Sequence, residues 1–78
     1  MLLEPLIRAS TLEPGESYNL ACVMALTGRP DDARAFLHEC WRYGTLPSSE
    51  HLIADPDLAS IRALPWFAEI LALARGEP

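Results

Sequence analysis

The 78-residue sequence predicts an all-α fold: an antiparallel helical hairpin, with a short helix before it and two or three short capping helices after it. Three observations carry that expectation. Apolar residues recur at helical spacing through most of the chain. No stretch alternates apolar with polar residues, so no strand is expected. Proline and glycine fall between the periodic stretches and divide them into helix-sized pieces.

The elements follow in order. Leu2, Leu3, Leu6 and Ile7 give the segment Leu2–Ser10 one apolar face, and Pro14-Gly15 then marks a turn. The first long helix is expected over Glu16–Thr27, ending at Gly28, because glycine enters the left-handed region without a Cβ clash. Pro30-Asp31-Asp32 opens the second. Proline suits the first helical position, and the aspartates face the positive end of the helix dipole. This helix should run to about Tyr43 and stop at Gly44, burying Ala33, Phe36, Leu37, Cys40 and Trp41, with Arg34, Glu39 and Arg42 solvated. So short a link at Gly28 folds the two helices back antiparallel.

Ser48 or Ser49 caps a short helix reaching Ala54. Asp55-Pro56-Asp57 starts another turn or two, with Asp55 as N-cap and Leu58 and Ile61 buried. Pro65 opens a last helix to about Arg75, with Phe67, Ile70, Leu71 and Ala74 on one face and Trp66 and Leu73 widening it. Gly76 ends it, and Glu77-Pro78 is expected to fray.

Composition excludes several roles. Net charge is −5, with eleven acids against six arginines and no lysine, a poor match for nucleic acid or an anionic membrane. The longest apolar run, Leu20–Leu26, falls far short of the about 20 residues a membrane span needs. MLLEPLIR has neither the basic nor the apolar region of a secretory signal, and a cytoplasmic location is expected. Cys22 and Cys40 fit no zinc or disulfide spacing.

Groups able to carry chemistry have simpler explanations. Cys22, Cys40, His38 and His51 could serve a thiol- or histidine-dependent enzyme, but His38 and Cys40 point to different helix faces. His38, His51, Asp55 and Asp57 have no recognised metal-ligand spacing. Asp31, Asp32, Asp55 and Asp57 stand at helix starts, where capping and the dipole account for them. No catalytic residue, metal or cofactor is predicted. Trp41, Tyr43, Trp66 and Phe67 divide between filling a small core and meeting a partner.

The stretch 14–47 resembles one tetratricopeptide repeat, whose period is about 34 residues. Leu20 and Ala21 stand at the packed and small positions of the first helix, Met24 at the large position, and Gly28 at the turn. Ala33, Leu37 and Cys40 fill the small, large and small positions of the second. Ser17 occupies the usual tryptophan site with Tyr18 one later, and Thr45 replaces the closing proline. The run DPDLASIRALPWFAEIL resembles the segment that often follows the last repeat in bacterial tetratricopeptide proteins, where YNLAC is also common; 48–76 is then a capping segment and 1–78 a single domain.

That resemblance implies a non-enzymatic protein-interaction module. The family's concave face maps onto Tyr18, Cys22, Ala25 and Leu26, with Leu46 near the rim, and Trp41 or Trp66 adds contact area. These residues are neutral, so an apolar or amphipathic protein segment suits them better than an acidic tail. A lone repeat leaves a face unburied, so a homodimer is the simplest expectation. Whether the face serves self-association or a different protein stays open. A small accessory subunit of an enzyme or secretion complex is the other class in view.

Overall fold

Local chemistry at the helix ends explains most of the element boundaries. The structure, a computed structural model, describes residues 16–77. Among them are α1 (Glu16–Leu26), α2 (Pro30–Arg42), α3 (Ser49–Ala54) and α4 (Phe67–Ala74), with a 3₁₀ turn at Pro56–Leu58 between the last two. All secondary structure among the described residues is helical. The expected helix over 2–10 lies outside them.

α1 and α2 end by the same device. At the end of α1, Gly28 has φ +76°, which strains any residue carrying a Cβ. Its N–H donates to the Ala25 carbonyl at 3.5 Å, and the Arg29 N–H donates to the Met24 carbonyl at 2.8 Å. These paired bonds form a Schellman motif, which satisfies carbonyls the helix itself leaves open. At the end of α2, Gly44 has φ +73°, with Gly44 N–H to Trp41 at 3.1 Å and Thr45 N–H to Cys40 at 2.8 Å. α4 closes with the same pair of bonds, through Gly76 and Glu77. The Glu77 backbone, expected to fray, is therefore tied to Ala72.

The core lies where α1 packs on α2, with the C-terminal segment laid over both. Ala21, Ala33, Leu37, Leu52, Leu58 and Ile70 are all fully buried. Burying a side chain of the Leu or Phe class gives about 1.5–3 kcal/mol, so these residues dominate the favourable side of folding. Two expectations for the buried stripe of α2 need correction. Trp41 is 50% exposed, because Leu37 and Cys40 already fill the inner face at its level. Phe36 is half-buried and packs at the edge of the core. Arg34 keeps solvent access as expected and also ties α2 to α4: its guanidinium bonds Glu69 at 2.9 Å and lies 5.7 Å from the centre of the Trp66 ring.

The C-terminal segment is held by side chains reaching across to backbone. Ser48 Oγ accepts from the His51 N–H at 3.2 Å and caps α3. Asp55 Oδ1 accepts from the Asp57 N–H at 2.9 Å and caps the 3₁₀ turn, with Pro56 at its first position. Arg62 donates to the carbonyl of Ile53 and, at 3.0 Å, to that of Asp55, closing the C-terminal end of α3. Ser60 Oγ donates to the Ala25 carbonyl of α1 at 2.9 Å. α4 begins at Phe67 rather than at Pro65, because 61–66 is a run of turns bonded from Ile61 N–H to Leu58 and from Leu64 N–H to Ile61. Its expected face holds: Phe67 and Ile70 are buried, and Leu71 and Ala74 pack against the core.

Candidate functional site

The chemistry-bearing side chains converge where α1 meets the 3₁₀ turn. Tyr18 and Cys22 lie one turn apart on α1 and so share a face. Opposite them stands Asp55, positioned by the end of α3 and the Asp-Pro-Asp turn. The Tyr18 hydroxyl donates to Asp55 Oδ2. The Cys22 Sγ lies 4.0 Å from that same oxygen, and His51 Nε2 is 3.6 Å from it. The Tyr18 and His51 rings meet edge-on, 5.6 Å between centres. Asp57 completes the group: ligand atoms of Cys22, Asp55 and Asp57 all lie within 4.8 Å of one another.

The electrostatics follow from that geometry. The Tyr18 O–H bond holds the Asp55 carboxyl below its usual range; partial burial opposes this, while the Asp57 N–H, His51 and Arg62 reinforce it. Burial, then the bond to Asp55, pushes the Tyr18 phenol far up. Burial and the nearby Asp55 charge push the Cys22 thiol up to about 11. Burial also pushes the Cys40 thiol up. Both cysteines are free and stay protonated at neutral pH, the opposite of what a thiol nucleophile requires.

The residues expected to meet a partner scatter across environments. Leu26 is 63% exposed and Trp41 is also open to solvent. Tyr18 and Trp66 are half-buried and pack against the core. Cys22 and Ala25 are core residues, at 7% and 3% exposure, and offer no contact surface. The mapping fails for them because the side of α1 that carries them is covered by the 3₁₀ turn, which Ser60 and Asp55 fasten down. Leu46 packs partly buried against the core. His38 sits on α2, outside the Asp55 cluster.

Capping does account for one oxygen of Asp55, as the sequence implies, but the other oxygen is taken by Tyr18 from 37 positions away. No local pattern announces that pairing. Asp32 has a local explanation, an ion pair with Arg29 at 2.7 Å.

The outer face of α1 carries Glu16 and Asn19 toward its start and apolar residues toward its end. Val23 and Leu26, one turn apart, are both exposed, and Tyr43 and Ile53 add large apolar side chains elsewhere. No helix among the described residues is long and apolar enough to cross a membrane. Comparison with known proteins finds no matching family model, no matching curated protein and no matching solved structure.

Proposed function

We propose that this chain is a non-enzymatic interaction module, a tetratricopeptide-like hairpin with a capping segment, that pairs with a second copy of itself through the outer face of α1. The observation that carries this reading is the exposure of Leu26 and Val23, at 63% and 42%, on one side of a helix whose other side is fully committed to the core. Repeat units of this kind need neighbours to bury both faces, and Val23 and Leu26 stay exposed on that side. A two-fold contact through one helix face supplies that cover with identical surfaces. The acidic charge and lack of lysine disfavour polyanions, and the protonated, buried thiols disfavour covalent chemistry.

Sedimentation equilibrium across a dilution series tests the reading. The native chain should pass from dimer to monomer on dilution. Leu26→Glu, at an exposed site, should stay folded by circular dichroism and sediment as a monomer throughout. A native chain that is monomeric at every concentration removes self-association and leaves an amphipathic segment of a different protein as the occupant of that face.

A further inference from the structure

We propose that Cys22, His51, Asp55 and Asp57 form a zinc-type divalent-cation site that clamps α1 to the C-terminal segment. The donors come from separated elements: Cys22 from α1, His51 from α3, and Asp55 and Asp57 from the 3₁₀ turn and its cap. Cys22 stands 33 positions before Asp55, so no short ligand spacing in the sequence joins it to His51, Asp55 and Asp57. Thiol, imidazole and carboxylate together are the donor types zinc takes, whereas magnesium and calcium take oxygen alone.

The distances fit. Zinc–ligand bonds of about 2.0–2.3 Å set tetrahedral ligand–ligand edges of roughly 3.3–3.8 Å. His51 Nε2 to Asp55 Oδ2 is 3.6 Å, and Cys22 Sγ to the same oxygen is 4.0 Å. The Cys22, Asp55 and Asp57 donors span at most 4.8 Å, so closing these three asks for a contraction of about 1 Å at most, and His51 joins them from its place beside Asp55 Oδ2. Asp57 and His51 are exposed and swing inward without repacking, while Cys22 is fixed in the core. Tyr18 then acts from outside the ligand set: its hydroxyl on Asp55 Oδ2 orients a ligating carboxylate, as outer-sphere hydrogen bonds do at metal sites. The thiolate and two carboxylates exceed the cation by one charge, and Arg62, bonded to the Asp55 carbonyl, offsets it. On binding, the Cys22 S–H gives its proton to solvent and the sulfur forms the metal bond.

Cobalt titration of the full chain, stripped of metal and kept reduced, is the test. The expected result is stoichiometric binding, with tetrahedral visible bands and a near-ultraviolet thiolate-to-cobalt band, all displaced by equimolar zinc. Cys22→Ser should remove the near-ultraviolet band, and Cys40→Ser should keep the whole spectrum. His51→Ala and Asp57→Asn, at exposed positions that leave the core intact, should each weaken binding at least about tenfold. Tyr18→Phe should keep the thiolate band and weaken binding about tenfold. No thiolate band in the folded native chain, a band that survives Cys22→Ser, or binding indifferent to both His51→Ala and Asp57→Asn overturns the proposal.

Discussion

The two halves of this molecule are held in different ways. In 16–45 the helices start and stop by local rules: proline and aspartates at the opening of α2, glycines at the ends of α1 and α2, and bonds between neighbouring backbone groups. In 48–77 the elements are short, and α3 and the 3₁₀ turn are too brief to persist alone. They stay in place through long-range contacts: Leu52, Leu58 and Ile61 in the core, Ser60 and Asp55 on α1, Arg34 on Glu69. The difference teaches that the cap is a tertiary object. It should melt when its anchors go, whereas the helix pair should resist changes confined to one end bond.

The strongest blow to the cap is the loss of its largest buried side chain. Phe67→Ala should cost about 3–5 kcal/mol and remove a large share of the stability of a domain this small. Urea unfolding followed by circular dichroism checks it; a loss below about 1 kcal/mol breaks the picture of a core shared between the halves.

Next comes the Asp55 anchor. Asp55→Asn removes a charged acceptor of hydrogen bonds and should cost about 1.5–3 kcal/mol at neutral pH. The pH dependence follows from the sign. Asp55 has a lower carboxyl pKa folded than unfolded, so the unfolded chain takes up the proton first as pH falls. The stability from this group is full above the ordinary value of about 3.9 and is lost as pH drops through the folded value. Native protein should therefore lose stability steeply in that acid range, and Asp55→Asn should show a flatter curve. Equal slopes would separate Asp55 from the acid transition.

Gly28→Ala probes the other half. No atom stands within 4 Å of the added Cβ, so the cost is the left-handed backbone alone, about 1–2 kcal/mol. Chemical denaturation of the variant measures it, and a neutral result would mean the link relaxes out of the Schellman geometry.

The smallest effect belongs to Arg34→Ala. Its ion pair and ring contact are both partly exposed, and together they should give about 1 kcal/mol or less, declining with salt. A double-mutant cycle with Glu69→Ala isolates the pair.

The contrast also sorts what sequence reading could reach. Glycine, proline and serine act within a turn of themselves, so Gly28, Gly44, Pro30 and Ser48 announced their roles, and the apolar faces of α2 and α4 emerged with few errors. Trp41 escaped because periodicity says which side of a helix is buried, not how wide the buried stripe is once Leu37 and Cys40 fill its centre. Cys22 and Ala25 escaped for a related reason: they lie on a side of α1 that is open in an isolated hairpin and closed once the 3₁₀ turn lands on it.

By itself, then, the order of residues determined the all-helical character of the described residues, the ends of the long helices and most of the core, since those depend on φ preferences, capping and periodicity over a few positions. Tertiary structure alone decided that Tyr18 and Cys22 reach the Asp55 carboxylate, which His51 and Asp57 flank locally, and that the outer side of α1 keeps Leu26 in solvent. Those pairings depend on how short elements pack across dozens of positions, and close approach in space leaves no periodic trace along the chain.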